Sequence, residues 1–170
     1  MPDAEIKKIK RSEFATFINV SPRTTASYAR MGKGITSQAV AYNPTTTSET
    51  YIDEDSATTS IDSYSVNIAT PQTCYAGEPV FSFVDGLRRS RAVGSECETD
   101  IVLVYIYDKQ EDGAYAAEKC KAAVQIDDFG GDGGGSVVIN YTINVNGDPI
   151  PGKATITNGT MTFTEDTASE

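Results

Sequence analysis

The chain has 170 residues and a formal net charge of −10, a size that suits one compact domain. It contains no histidine, which excludes Ser-His-Asp triads, Cys-His pairs and HExxH metal sites. Its cysteines, Cys74, Cys97 and Cys120, include no CxxC pair, so we expect reduced thiols rather than disulfides or a zinc site. No apolar run approaches the roughly 20 residues of a membrane helix. Residues 1–11 are charged and lack the apolar centre of a secretory signal, so we expect a cytoplasmic protein without a membrane partner.

The charge is divided unevenly along the chain. Residues 1–33 contain seven basic and three acidic residues, whereas residues 34–170 contain seven basic and twenty-one acidic ones. An acidic body repels nucleic acid, because DNA binding requires clustered cations that displace counterions. The basic residues at the N-terminus could contact DNA, but docking on the acidic body of a neighbouring copy explains their charge equally well. We therefore predict an N-terminal arm over residues 1–33. Its inter-subunit contacts are expected from Lys7, Lys8, Lys10 and Arg11.

The predicted elements begin with a strand over residues 35–42, opened by two glycines. Residues 43–60 follow and are the least core-like part of the body, because they are rich in threonine and serine and contain an acidic run. Only Tyr51 and Ile52 interrupt this polarity. Loops of this length are uncommon in compact domains and tend to be functional. We therefore predict a long polar loop with a docking point at Tyr51 and Ile52.

The rest of the chain predicts strands and one helix. Val80, Val84 and Leu87 recur at helical spacing after Pro79, which predicts a helix over residues 78–91. Alternation of apolar and other residues is typical of half-buried strands, and a continuous apolar run is typical of a strand buried on both faces. The predicted strands cover residues 61–68, 101–107, 119–127, 137–145, 155–157 and 160–164. The sequence therefore predicts a mainly β protein.

Two Asn-Gly pairs complete the predicted topology. Asn146-Gly147 predicts a turn, and Asn158-Gly159 predicts a tight hairpin between the last two strands. The predicted organisation is an N-terminal arm (1–33), a β-sandwich domain (34–164) with a protruding loop (43–60), and a C-terminal tail (165–170).

No sequence motif for catalysis, a cofactor or a metal stands out. The glycine-rich run 130–135 is followed by no Gly-Lys-Ser/Thr and no helix, so it predicts a connection between strands rather than a phosphate loop. Asp53, Glu54 and Asp55 could attract a hard cation, but adjacent residues on an extended chain point apart. A solvated or partner-facing acidic tip is the better interpretation. We therefore expect no enzymatic activity, no cofactor and no metal site.

Short motifs follow one another in a recognisable order along the body. They are Gly32-Lys33-Gly34-Ile35-Thr36, Tyr42-Asn43-Pro44-Thr45-Thr46, Tyr51-Ile52-Asp53-Glu54-Asp55-Ser56-Ala57, Ser63-Tyr64, Glu78-Pro79-Val80-Phe81, Phe129-Gly130-Gly131-Asp132, Gly147-Asp148-Pro149 and Gly152-Lys153-Ala154. In this order they resemble the tail tube (major tail) proteins of long-tailed bacteriophages, over residues 30–165. The specificity lies in the order, because each motif alone is short and degenerate.

The resemblance implies a tail-tube-like β-sandwich with one flanking α-helix and a long extended loop. It further implies a hexameric ring in which each copy lends four strands to a continuous inner β-barrel, and rings that stack into a tube. Twenty-four strands spaced about 4.8 Å apart give a circumference of ~115 Å and a diameter of ~37 Å before tilt. Duplex DNA fits such a lumen and would pass through it without specific binding.

The resemblance also implies partners, contacts and a location. The ring–ring interaction loop would use Pro44, Thr45, Tyr51, Ile52, Asp53, Glu54 and Asp55. Besides other copies of itself, the protein would meet a tape-measure protein, tail-tip or baseplate proteins and a tail terminator protein. It would be assembled in the cytoplasm of the bacterial host and would act in the virion tail during genome ejection.

Other functions fit parts of the same pattern. The tube of a contractile tail or of a type VI secretion system would have the same fold, and a neighbouring sheath gene would distinguish it. A bacterial surface adhesion module is also threonine-rich, acidic and β-rich, but it needs export. An enzyme built on a β-sandwich is the third alternative, although no motif points to one.

Overall fold

The computed structural model describes residues 5–167, so residues 1–4 of the predicted arm and 168–170 of the predicted tail lie outside the described residues. The chain is mainly β with one α-helix, as predicted. Its elements are β1 (Phe14–Asn19), β2 (Tyr28–Arg30), β3 (Ala39–Ala41), β4 (Pro44–Glu49), β5 (Thr58–Tyr64), β6 (Asn67–Thr73), α1 (Pro79–Ser90), β7 (Glu98–Lys109), β8 (Tyr115–Gly130), β9 (Val138–Thr157) and β10 (Thr160–Glu165).

An antiparallel sheet of eight strands forms the body, in the order β2-β1-β7-β8-β9-β6-β3 with β10 beside β9. The long strands β8 and β9 each run through two halves of this sheet. The six-stranded half contains β2, β1, β7, the start of β8, the end of β9 and β10, and its edge strands β2 and β10 lie against each other. The four-stranded half contains the end of β8, the start of β9, β6 and β3.

A bulge in β9 separates the two halves. Between the pairs Lys119–Ile150 and Lys121–Asn146, three residues of β9 lie opposite one residue of β8. One of the three is Gly147, whose φ of 72° is readily adopted only by glycine. Extra residues in one strand bend it and increase its twist, so the strand leaves one half and enters the other. The predicted turn at Asn146-Gly147 is therefore wrong, because β9 continues through it.

The main core lies between the two halves and α1, and a second cluster covers the other face of the six-stranded half. The main core includes Ile18, Ile68, Val80, Val84, Ile101, Tyr141 and Ile143. The second cluster includes Phe17, Val102, Val104, Ala154 and Met161. Strands β1 and β7 are consequently buried on both faces. This layering confirms the predicted β-sandwich with a flanking helix.

The structure corrects the prediction that residues 1–33 form an arm. Strand β1 is buried and pairs with the central strand β7, for example Ile18 with Ile101. Its sequence Phe-Ala-Thr-Phe-Ile-Asn shows no alternation because both of its faces are covered. In the described part of the predicted arm, residues 5–13 precede the sheet and residues 20–27 connect β1 to β2.

The predicted helix over residues 78–91 is confirmed, since α1 covers Pro79–Ser90. Glu78 caps it, since its carboxylate accepts hydrogen bonds from the backbone N–H groups of Val80 (3.2 Å) and Phe81 (2.7 Å). Pro79 occupies the first turn, where its missing N–H leaves no bond unmade. Arg91 ends the helix in the left-handed conformation, with φ 54°.

The middle of the chain differs most from the prediction. Residues 43–60, predicted as a loop, belong to a two-stranded hairpin of β4 and β5, and this hairpin is a separate sheet. The strand predicted over residues 61–68 is divided between β5 and β6. The strand predicted over residues 35–42 shrinks to three residues of β3. The hairpin at Asn158-Gly159 is confirmed, with positive φ at both positions.

A series of buried side-chain hydrogen bonds connects α1 to the sheet and gives a first testable prediction. The Tyr141 hydroxyl donates to Oε1 of Gln72 (2.9 Å), and Nε2 of Gln72 donates to the capping carboxylate of Glu78 (3.1 Å). Burial raises the pKa of Tyr141 above its usual value, so the hydroxyl remains a donor. Tyr141→Phe would leave the Gln72 oxygen buried without a donor and should lower the free energy of unfolding by about 1–3 kcal/mol. Urea denaturation measures this.

The control for Tyr141→Phe is Tyr107→Phe at a half-exposed position. Surface substitutions of this kind change the free energy of unfolding by roughly 0.5 kcal/mol or less. Equal effects of the two substitutions on the free energy of unfolding would contradict a stabilising role for the buried hydrogen bonds of Tyr141, Gln72 and Glu78.

Candidate self-assembly surfaces

The outer face of the four-stranded half is polar. On β9, Ile139, Tyr141 and Ile143 are buried in the core, and the residues that alternate with them face outward. Side-chain hydrogen bonds join these outward residues of β9 to outward residues of β8. The bonds run from Asn140 to Asp128 (2.6 Å), from Thr142 to Asp127 (2.8 Å) and from Asn144 to Gln125 (3.3 Å). We call this set the polar ladder.

The polar ladder contains carboxylates but no cation. Residues 123–130, 138–146, 67–73 and 39–41, which make up the four-stranded half, include neither lysine nor arginine. The cations of β8, Lys119 and Lys121, pair with β7 in the six-stranded half. A surface of this composition offers phosphate groups hydrogen-bonding partners but no opposite charge.

Both edges of the four-stranded half lack a partner strand among the described residues. Strand β7 pairs with β8 only as far as Ala123, so residues 124–130 of β8 form one open edge. Strand β3 ends the sheet on the other side. Every neighbouring pair in this half is antiparallel, so β3 and β8 run in opposite directions. Open edges are ready templates for pairing with another chain.

The β4–β5 hairpin extends from the β3–β6 end of this half. All its residues from Pro44 to Tyr64 are exposed. At its base the Tyr42 and Tyr64 rings pack edge to face, 6.4 Å between centroids, and the Asn43 side chain donates to the Ser65 carbonyl (3.0 Å). A hairpin that buries nothing within its own chain gains no packing energy there, so its exposed side chains are available to a partner.

The predicted ring–ring loop residues fall in two places on this hairpin. Pro44 and Thr45 start β4, where they pair with Tyr64 and Ser63 at the base. The other five predicted residues, Tyr51, Ile52, Asp53, Glu54 and Asp55, lie together at the tip. Ile52 is as exposed as a residue in an extended peptide (109%), and the Tyr51 hydroxyl donates to Glu49 (3.2 Å).

The predicted arm residues precede β1 and are exposed. Lys7 lies 3.8 Å from the Glu13 carboxylate. Arg11 is held within its own chain, since it donates to the carbonyls of Phe14 (2.7 Å) and Gln38 (3.1 Å). Lys8 and Lys10 form no ion pair among the described residues. Among the described residues of this segment, Lys8 and Lys10 are therefore the cations without an ion pair, and Arg11 fixes the segment to its own chain.

The described residues contain no group of three or more acidic or cysteine side chains placed to hold a metal ion. None of the helices in the described part of the chain is long and apolar enough to cross a membrane. Cys120 lies in the core, where burial raises the pKa of its thiol to about 11. At neutral pH this thiol is protonated and poorly nucleophilic.

Sequence reasoning missed the polar ladder and the open edges. The alternation over residues 137–145 predicts a strand and places Asn140, Thr142 and Asn144 on its polar face. Their partners Gln125 and Asp127 lie on another strand, and the pairing register was not predicted. The open edges depend on where β7 stops, which no local pattern indicates.

Solved structures share this fold. A chain from the tail of an empty GTA particle, obtained by helical refinement with C6 symmetry, matches with a TM-score of 0.58 and 9% identity, over 84% of this chain and 97% of that one. A chain from the PVC sheath/tube terminator of an extracellular contractile injection system, in its extended state, matches with a TM-score of 0.50 and 12% identity, over 87% and 99%. No family model matches the sequence, and no curated protein matches it.

These matches define the class of the fold. The chain has the β-sandwich fold of a chain in the tail of a GTA particle and of a chain in a contractile injection system, and the similarity extends over nearly the whole length of both matched chains. The predicted resemblance to tail tube proteins is thereby confirmed at the level of the fold.

Proposed function

We propose that this chain is a structural tail subunit that polymerises as stacked hexameric rings into a tube, through which genomic DNA passes during ejection. The observation that carries the proposal is the four-stranded half, with its cation-free polar ladder and its two open edges of opposite direction. The fold shared with a tail solved in C6 symmetry supports it. Because the fold also occurs in a contractile injection system, the proposal covers the tube of either kind of tail.

Strand direction allows the four-stranded half to close a ring. If the β8 edge of one copy pairs with the β3 edge of the next, the strands across the junction run antiparallel, as they do within each copy. Six copies then form one closed barrel of 24 strands, with a diameter of ~37 Å before tilt. Closure also removes the open edges, which would otherwise promote aggregation.

The ladder would then face the lumen, because the opposite side of this half packs on the core and α1. Six copies at −10 give a formal charge of about −60 per ring, and the lumen wall itself carries only Asp127 and Asp128 as charged residues from the ladder. Duplex DNA would meet hydrogen-bonding groups and negative charge but no lysine or arginine to hold it.

The remaining surfaces would connect rings and neighbours. The hairpin, from Pro44 and Thr45 at its base to the acidic tip, is proposed to reach the adjacent ring. Lys7, Lys8 and Lys10 are proposed to contact the acidic body of a neighbouring copy, with Arg11 fixing the segment to its own body. A tape-measure protein, tail-tip or baseplate proteins and a terminator protein would complete the tail, assembled in the bacterial cytoplasm.

Negative-stain electron microscopy of the concentrated full chain tests the proposal. We expect rings and tubes with a central channel, and a subunit that associates weakly at low concentration. Sedimentation showing a closed dimer at every concentration, with no tubes at the highest, would contradict it.

The free subunit should show no measurable affinity for duplex DNA at physiological salt, which means a Kd weaker than roughly 10⁻⁴ M. The reason is the cation-free ladder on an acidic body. Replacing Gln125, Asn140 and Thr142 by lysine should bring binding into the range of roughly 10⁻⁴–10⁻⁶ M, with a log–log salt slope of about −3. Fluorescence anisotropy over a salt series measures both. Sub-micromolar binding by the unaltered chain would refute the expectation and would implicate residues 7–11.

A further inference from the structure

A cleft between α1 and the open edge of β8 is not used by the chain itself. It has a volume of about 770 Å³. Its apolar lining comes from the end of α1 and the residues after it, and from the open part of β8. The apolar residues include Leu87, Ala92, Val93, Val124, Ile126 and Phe129. Val93 is 74% exposed and Phe129 is 42% exposed, so the cleft presents apolar surface to solvent.

The charged residues that line this cleft are Arg88, Arg91 and Asp128, so two cations accompany one carboxylate. Arg88, Arg89 and Arg91 supply three of the seven basic residues in residues 34–170. Asp85 pairs with Arg88 (2.7 Å) and with Arg89 (2.8 Å). Arg91 forms no ion pair among the described residues and donates only to the carbonyl of Arg88 (2.6 Å). The guanidinium of Arg88 also stacks on Phe129, 3.9 Å from the ring centroid, so charge and apolar surface are adjacent.

The hairpin tip has the complementary composition. Tyr51 and Ile52 are exposed apolar side chains, and three carboxylates follow them directly in Asp53, Glu54 and Asp55. No basic residue within the hairpin, residues 44–64, neutralises these carboxylates. The tip therefore presents two apolar side chains beside three carboxylates. The cleft presents a concave apolar surface beside the guanidinium groups of Arg88 and Arg91.

The two surfaces belong to opposite sides of the four-stranded half. The hairpin continues from β3 and β6, whereas the cleft lies along β8, and β9 separates them. The tip is exposed and the cleft is open within one chain, so a second copy must bring them together.

We infer that the cleft lined by α1 and β8 receives the β4–β5 hairpin tip of a second copy of this chain. Ile52 and Tyr51 bury against Val93, Val124 and Phe129, and a tip carboxylate meets Arg91. This docking rests on the proposed self-assembly. The second copy belongs to the adjacent ring, and its tip contacts side chains on the α1 side of the β8 edge, so the backbone of that edge stays available to β3 of the ring neighbour. It assigns the acidic tip to the arginines of the cleft rather than to the lysines of the N-terminal segment.

A native thiol in the cleft provides the test. Cys97 lines the cleft and is partly exposed, whereas Cys120 is buried. The full-length Ile52→Cys variant is treated with a short bismaleimide, and linked peptides are identified by mass spectrometry. We expect a link between positions 52 and 97 of different copies, established by mixing isotopically heavy and light protein. Thr59→Cys, on the exposed hairpin stem, is the matched control and should give little of this link.

Charge exchange tests the polar part of the contact. Arg91→Glu in the Ile52→Cys background should lower the yield of the 52–97 link about tenfold, the effect of losing one charge-assisted contact. Adding Glu54→Arg should restore most of the yield. The control is Lys109→Glu, which reverses an exposed charge at the end of β7, away from both surfaces, and should leave the yield unchanged. Thermal unfolding of each variant checks that its fold is intact.

The outcomes separate the docking from the proposed function. Tubes that form with no 52–97 link, or with a 52–74 link instead, would overturn the docking and leave the tube in place. A 52–97 link between copies that form no tube would support the docking and contradict the tube. The absence of both would overturn both.

Discussion

Removal of residues 46–58 should abolish tube formation and leave a folded subunit. All of these residues are exposed, and the hairpin pairs only with itself, so the deletion removes no core contact. The pairing of Thr45 with Ser63 remains, and residues 59–62 are long enough to close the shortened hairpin. The free energy of unfolding should change by roughly 0.5 kcal/mol or less, which shifts the melting temperature by about 2 °C at most.

The expected loss of assembly has a direct physical reason. In the proposed tube the apolar tip would bury against another copy, and full burial of a side chain such as that of Ile52 stabilises a contact by about 1.5–3 kcal/mol. In a hexameric ring this stabilisation would occur six times, so removing the tip would weaken every contact between rings. Sedimentation and electron microscopy at a concentration where the unaltered chain forms tubes measure the effect.

The control for the deletion is Thr59→Ala, which changes the stem and leaves the tip intact. This variant should still form tubes. If the deletion unfolds the subunit, or if tubes of normal appearance still form, the hairpin is not the contact between rings.

Local patterns predicted the elements whose stability is local. Helix α1 was predicted because Glu78, Pro79 and the spacing of Val80, Val84 and Leu87 all favour a helix at the same place. The alternation of β9 over residues 137–145 and the Asn158-Gly159 hairpin were predicted for the same reason. In each case the covered face or the turn geometry is encoded within a dozen residues.

Elements defined by distant partners were missed. Strand β1 has no alternation, because the main core covers one of its faces and the second core cluster covers the other, and its central partner β7 lies more than 80 positions away. Asn146-Gly147 has strong turn character, but the ladder between β8 and β9 continues on both sides of it and the glycine is accommodated in a bulge. In this case the pairing of β9 with β8 outweighed the local preference of Asn146-Gly147 for a turn.

The hairpin was missed for a different reason. Its strands β4 and β5 bury no face, so the hydrophobic alternation that indicates a strand never develops. The signal that remained was the β-branched threonine content, with Thr45, Thr46 and Thr47 on one strand and Thr58 and Thr59 on the other. The tip residues were still identified, because an apolar pair inside a polar segment stands out without any knowledge of the fold.

The orientation of the polar ladder can be tested by chemical labelling of assembled tubes. Gln125→Cys places a thiol at an exposed position of the ladder, and Ser82→Cys places one on the exposed side of α1. The helix packs on the opposite side of the four-stranded half, so the two thiols would lie inside and outside the tube wall. A maleimide carrying a bulky polymer should label both variants as free subunits.

In tubes the same reagent should label Ser82→Cys and leave Gln125→Cys largely unmodified. A small maleimide, which diffuses through the lumen of a barrel ~37 Å in diameter, should label both. The protection follows from geometry, because the lumen is open only at the tube ends and the polymer is excluded from it. Peptide mass spectrometry at each position separates this labelling from that of Cys74 and Cys97. If the bulky reagent modifies Gln125→Cys as fast in tubes as in subunits, the ladder faces solvent outside the tube, and the wall must be built from another part of the sheet.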